Sequence, residues 1–239
     1  MLRFFFCFLF ISTSTIANTA ETNTLTVTLD KQSLQLSYPQ PARMATVLND
    51  YYANTDGDFY LLGAVLSNDD KQHEIDDLKT QIINQLKQVE NSEALVSQLN
   101  TFSYVARVFT SLDRDLVRID DGSNPLFSGH YTLSTSTMPN AITVIGAIES
   151  NSPIVLPLIE HASVDNYLEQ VKLSTNADNT QIAVIQPDAF VQMTEFTLWK
   201  NNPVYLAPGA VVYVPFSSLP SESSSLNESI IQLLRNKAL

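Results

Sequence analysis

The chain has 239 residues, 13 Lys and Arg against 25 Asp and Glu, a formal charge of −12 at neutral pH, and one cysteine. So acidic a surface repels phosphate backbones and anionic headgroups, which argues against nucleic acid as a partner. Beyond the N-terminal segment no stretch approaches the roughly 20 apolar residues of a membrane-spanning helix, so none is expected in the mature chain.

Residues 1–20, MLRFFFCFLFISTSTIANTA, place Arg3 before an apolar run from Phe4 to Ile11, then small polar residues ending at Ala17 or Ala20. That is the layout of a cleaved secretory signal peptide. Cys7 lies inside the apolar run and leaves with it. The mature chain is then free of cysteine, carries a net charge of −13 once Arg3 is gone, and must be stabilised by its core without disulfides.

In TLTVTL (24–29) and LQLSY (34–38) apolar and polar residues alternate, and the period of two predicts a hairpin turning at Asp30 to Ser33. From Pro41 the period changes. Met44, Val47, Leu48 and Tyr51 predict a helix that ends at NTDGD (54–58), and FYLLGAVL (59–66) reads as the next strand. Between about residues 70 and 101 the pattern is a helical hairpin, with Ile75, Leu78, Ile82, Ile83, Leu86 and Val89 on one helix, NSE (91–93) as the break, and Leu95, Val96 and Leu99 on the other. Its outward positions are acidic, amide or Lys, suited either to water or to a docking arm. FSYVARVF (102–109) and DLVRI (115–119) return to strand periodicity, DDGSNP (120–125) is a loop, and SGHYTL (128–133) follows as strand.

A boundary is placed around residues 134–140. ITVIGAIES (142–150) and PIVLPLI (153–159) read as paired strands, VDNYLEQVKL (164–173) as a helix capped by Ser163, and NTQIAVIQ (179–186) and FVQMTEFTL (190–198) as strands separated by the turn Pro187-Asp188-Ala189. Pro208-Gly209 suits the centre of a type II turn, and the strand that follows, Val211 to Val214, is apolar on both faces. The order strand, strand, helix, strand, strand, strand is that of a β-grasp. Its first five elements, interrupted by the hairpin, recur in the first half. The predicted fold is therefore α+β: two tandem β-grasp domains over residues 21–136 and 137–217, the first with a helical-hairpin insertion, then a Ser-rich linker and C-terminal amphipathic helix over 218–239.

That helix begins at a capping-box spacing, Ser225 to Glu228, and carries Leu226, Ile230, Leu233 and Leu234 as one stripe widened by Ile231, with Arg235 and Lys237 in its last turn. At about 1.5 Å per residue it is too short for a ~30 Å bilayer core. Its stripe packs either on its own domain or on a partner.

The second half resembles the soluble-ligand-binding β-grasp module of polysaccharide-export proteins. The whole mature chain is similar to the GfcC family of capsule-biosynthesis proteins, through NPLFSGHYTL (124–133), Pro139, AVIQPDAFV (183–191), Trp199, PGAVVYVPF (208–216) and SLNESIIQLL (225–234). It departs from that pattern at Met138, where Arg is usual, at Ala189, where Gly is favoured, and at Lys200, where Asn is favoured. The resemblance implies a periplasmic protein, without enzymatic activity or cofactor, that serves capsule or exopolysaccharide biosynthesis and export. Its implied partner is the outer-membrane polysaccharide-export machinery, with the polysaccharide itself as a second candidate.

Catalytic patterns give no competing assignment. His73, His130 and His161 are not spaced as metal ligands, and neither a nucleophile elbow nor a phosphate-binding glycine loop occurs. The acidic turns Asp56/Asp58 and Asp120/Asp121 lack the repeated ligand spacing of a calcium loop. A pair of carboxylates could hydrolyse glycosides, so a glycan-degrading enzyme remains one alternative and a secreted adhesion protein another. Catalytic, metal and cofactor-binding residues are therefore assigned to none. The candidate interaction surface is Trp199, which suits either a sheet edge or a sugar platform, together with Ile230, Ile231, Leu233, Leu234 and Arg235 of the last helix.

Overall fold

The computed structural model describes residues 24–56, 59–178, 180–195 and 203–238, so the signal-peptide reading lies outside the described residues. β1 (Leu25–Leu29) and β2 (Leu34–Tyr38) form the expected hairpin, with Leu29 opposite Leu34. Leu25, Val27 and Leu29 are buried while Thr26 and Thr28 are less so, which is the two-residue alternation of a sheet covered mainly on one face. Residues 42 and 43 (β3, Ala42–Arg43) pair with Leu126 and Phe127, so α1 (Met44–Asn54) starts later than Pro41 suggested. It buries Met44, Val47, Leu48 and Tyr51, the face predicted.

Three readings of the first half need correction. FYLLGAVL is not one strand. The N–H groups of Gly63 and Ala64 bond back to the carbonyls of Tyr60 and Leu61, curling Leu61–Gly63 into a 3-10 turn, and β4 (Val65–Asn68) begins only beyond it. FSYVARVF is extended but makes only isolated bridges, Ser67 to Arg107 and Tyr104 to Lys237. DLVRI is helical.

The insertion forms as predicted, with α2 (Gln72–Leu86) and α3 (Glu93–Asn100) separated by a turn in which Asn91 takes φ 59° and the Ser92 hydroxyl donates to the Leu86 carbonyl. α4 (Arg114–Ile119) starts where the Asp113 carboxylate accepts the N–H groups of Asp115 and Leu116 at 2.8 and 3.2 Å. That cap satisfies donors a strand would have paired laterally. β5 (Leu126–Phe127) and β6 (Gly129–Ser134) complete the half. The sheet order is β2-β1-β6-β4, with β6 parallel to β1 between it and β4. Residues 106–108 lie along the free edge of β4, through Asn68 N–H to Ala106 and Val108 N–H to Leu66, both at 2.8 Å.

The second half is β7 (Ala141–Gly146), β8 (Ile154–Pro157), α5 (Val164–Leu168), β9 (Ile182–Ile185), β10 (Val191–Thr194) and β11 (Val211–Val214). α5 is only five residues long, shorter than the 164–173 read from the sequence; Leu173 instead forms a bridge with Ile148. The sheet order β10-β9-β11-β7-β8, with the last strand central and parallel to the first, is β-grasp topology. Residues 196–198 of the predicted FVQMTEFTL strand fall outside the described residues.

Ala207 to Ala210 make the type II turn expected of Pro208-Gly209, closed by Ala210 N–H to Ala207 O at 3.0 Å, with Gly209 at φ 89°. β9 and β11 are buried at every position, so both faces of this sheet are covered. Val164, Tyr167 and Leu168 of α5 supply one cover. The other comes from the inserted helices and from α6 (Leu226–Arg235).

This arrangement answers the question left open for the last helix. Leu226, Ile230, Leu233 and Leu234 are fully or nearly fully buried in the chain's own second core, beside Ile82 and Leu86 of α2 and Leu95 and Leu99 of α3. The insertion emerges from the first half but packs on the second. Gln98, itself buried, clamps the end of β7, accepting the Gly146 N–H at 2.8 Å and donating to the Ser150 carbonyl at 2.7 Å.

The predicted capping box at Ser225 is not formed. Asn227 does the anchoring, accepting from the Tyr213 hydroxyl at 2.8 Å and exchanging bonds with the Phe216 backbone. The Ser-rich stretch before it is ordered into a 3-10 turn at Ser221–Ser223, with Ser223 buried, and so is not a free linker.

Candidate functional site

Where the two halves meet, the 3-10 turn at Leu61–Gly63, the segment 107–113, α4, the β9–β10 turn and the end of α6 enclose a cleft of about 480 Å³. That is within the usual range for a ligand or side-chain pocket, roughly 300–1,000 Å³. Leu61, Leu62, Phe109, Leu116 and Phe190 reach its rim and stay exposed, Phe109 by 51% and Phe190 by 61%. Apolar side chains gathered at a mouth in this way mark contact surfaces more than solitary exposed residues do.

Two arginines enter from opposite halves. Arg235 donates from Nε to the Ala189 carbonyl at 3.1 Å and from Nη1 to Gln232 at 3.0 Å, and its guanidinium carbon lies 4.2 Å from the centroid of the Phe109 ring. Arg107 is more enclosed, reaching the Ala64 carbonyl with Nη2 at 3.4 Å, while its N–H donates to Asn236 Oδ1 at 3.0 Å. Burial lowers the Arg107 pKa to about 10. Asp188 opposes that shift, while the charge of Arg235 adds to it. Among the described residues neither guanidinium has a carboxylate within ion-pair distance.

The β9–β10 turn that carries Phe190 into the cleft is built by Asp188, whose Oδ1 accepts the Phe190 N–H at 2.9 Å, and by Ala189 at φ 68°. A second, shallower groove continues from it past Met193, Ile231 and Glu228. Of the residues singled out from sequence, Arg235 lines the cleft and Ile231 borders the groove. Ile230, Leu233 and Leu234 face the interior and form no open surface. Trp199 lies outside the described residues.

The remaining polar candidates do not converge. His130 Nδ1 meets Asp70 Oδ1 at 3.0 Å on the surface, and the Asp70 carboxyl is held below its ordinary value by the backbone N–H of His130 first and its ring second. Asp120 accepts from Gly122 and from the Ser123 hydroxyl, so it serves its own turn. Among the described residues no group of three or more His, Cys, Asp or Glu is placed to hold a metal ion. No described helix is long and apolar enough to cross a membrane.

Reading by sequence missed Arg107, Phe109, Phe190 and the Leu61-Leu62 pair. They come from three separate parts of the chain, around residues 61, 108 and 190, and no local spacing links those parts. The available hint was two adjacent leucines beside a glycine, which read equally well as strand.

Comparison with known proteins adds independent information. Residues 21–137 match the family described as "Capsule biosynthesis GfcC, N-terminal" and residues 152–238 match "Capsule biosynthesis GfcC C-terminal". The chain is also 31% identical over 146 residues to the Escherichia coli (strain K12) protein titled "Uncharacterized protein YjbG", an alignment that spans 60% of this chain and 59% of that one. With both of its halves matched in order, this chain belongs to the GfcC family of capsule-biosynthesis proteins.

Proposed function

We propose that this chain is a periplasmic, non-enzymatic accessory of capsule or exopolysaccharide biosynthesis and export, and that it works through contacts made at the junction cleft. The observation that carries the reading is the match of both halves to capsule-biosynthesis family regions. The leader-like N-terminus supports export from the cytoplasm. The cleft supports a contact role over a reactive one. Its ionisable side chains are Arg107, Arg235, Asp113 and Asp188. Both carboxylates are taken up by backbone N–H groups, Asp113 by those of Asp115 and Leu116 and Asp188 by that of Phe190, and arginine, even with a pKa of about 10, is a poor proton donor at neutral pH.

The test is deletion of the gene, with measurement of surface polysaccharide, its intracellular accumulation and the location of the complementing protein. The reading predicts loss of surface polymer, a protein recovered in the periplasmic fraction, and no new reducing ends when purified protein is incubated with purified polymer. Release of reducing ends would make the chain a glycan-degrading enzyme. Recovery in culture supernatant, with surface polymer intact, would make it a secreted adhesion protein.

A further inference from the structure

We propose that the junction cleft is the docking site for a polypeptide segment of a partner protein, one that presents large apolar side chains together with a carboxylate. This rests on the reading that the chain works by contact, and it adds what kind of partner makes that contact.

The lining decides between a peptide and a sugar. Leucine, valine, alanine and phenylalanine dominate it; its polar side chains are Thr110 and Ser111, the carboxylates of Asp113 and Asp188, already accepting backbone N–H groups, and the two guanidiniums. A saccharide seated there would lose water from many hydroxyls and could regain hydrogen bonds chiefly at the two guanidiniums, leaving those over the apolar lining unpaired at about 1–3 kcal/mol each. Apolar side chains of a partner carry no such penalty, and burying them against Leu61, Leu62, Phe109 and Phe190 supplies the driving force. A cleft of about 480 Å³ accommodates a few side chains of a segment and not a folded domain.

Charge specifies the rest. Two guanidiniums reach the cleft with no carboxylate within ion-pair distance among the described residues, because the cleft's own Asp113 and Asp188 are held by backbone N–H groups of their turns. Although the charge of Asp188 is felt at Arg107, each guanidinium keeps donors free for a carboxylate fork. The net charge of −12 does not oppose this. Screening confines surface repulsion to about 8 Å at physiological salt, whereas a docked carboxylate sits in contact with the arginines. Arginine is also among the residues enriched at energetic hot spots of protein interfaces.

The test uses the purified mature chain and a displayed library of random dodecapeptides. Enriched peptides should share two or more large apolar residues and an Asp or Glu, and their synthetic forms should bind measurably by calorimetry. Leu62→Glu, at a position 43% exposed, and Arg235→Gln should each weaken binding by about tenfold or more. Ile119→Glu, 82% exposed and outside the cleft, should leave it unchanged. Replacing the peptide carboxylate by its amide should weaken binding to the wild type but not to Arg235→Gln. Thermal melts establish that the variants are folded, and the Leu62→Glu result stands alone if Arg235→Gln is not.

Failure to enrich peptides, a consensus without an acidic residue, or equal binding by wild type and Leu62→Glu would overturn the proposal. So would cleft-dependent binding of a hexauronate with no peptide binding, which would assign the site to acidic glycan. These assays do not depend on polysaccharide export, so they can fail while the accessory role stands.

Discussion

Ala189 takes φ 68° at the turn where the β9 chain reverses, a conformation that favours glycine over any residue with a Cβ. Magnitudes explain why alanine is tolerated there. The left-handed conformation costs about 1–2 kcal/mol, but changing to glycine would forfeit about 0.8 kcal/mol of methyl burial and up to about 1 kcal/mol of chain entropy. These nearly cancel. Ala189→Gly should therefore change stability by less than about 1 kcal/mol, whereas Ala189→Val, β-branched at positive φ, should destabilise by several kcal/mol, both read from urea denaturation midpoints. Gly146 offers no such balance, because at φ 116° an added Cβ would lie 2.1 Å from the Val214 carbonyl oxygen. Here the backbone of β7 runs too close to that of its parallel neighbour β11 for a side chain.

Among the elements, the helices were legible in their faces and illegible in their destinations. The stripe of α6 was plain from its spacing, yet nothing local to it says that it lies beside β9 and α2 rather than on another protein. The inserted hairpin was equally clear, and equally silent about packing on the second half. DLVRI shows a different limit. Five residues with Leu116, Val117 and Ile119 apolar fit either period, and the deciding signal was Asp113, a cap residue just upstream. Burial of α6 makes a direct prediction. Leu233→Ala should cost about 2–5 kcal/mol, and removal of residues 226–239 should abolish cooperative folding of the second half, followed by calorimetry. A truncated chain that keeps the wild-type melting transition would show that α6 is not part of the core.

At the scale of the whole molecule, the described residues join the halves through α2 and α3 across the second core, with Gln98 of α3 on β7, and through the chain end along residues 103–107. That last connection runs from Ala238 N–H to Ser103 at 2.9 Å, from Val105 N–H to Asn236 O at 2.8 Å, and through the Asn236 side chain to Arg107. The same crossing that stitches the halves delivers Arg107 and Arg235 to one cleft. Both β-grasp modules could be read from strand order and turn chemistry, because those signals are local. The cleft could not, because it exists only after residues from 61 to 235 have been brought together by packing.

The proposed role stands or falls on this cleft being the working surface. Its most direct test is surface polysaccharide measured in a deletion strain that expresses Leu62→Glu or Ile119→Glu at equal levels. Both introduce one glutamate at an exposed apolar position, one at the cleft and one away from it. Leu62→Glu should lose most of the polymer while Ile119→Glu restores it fully. Full restoration by both variants would contradict the proposed role.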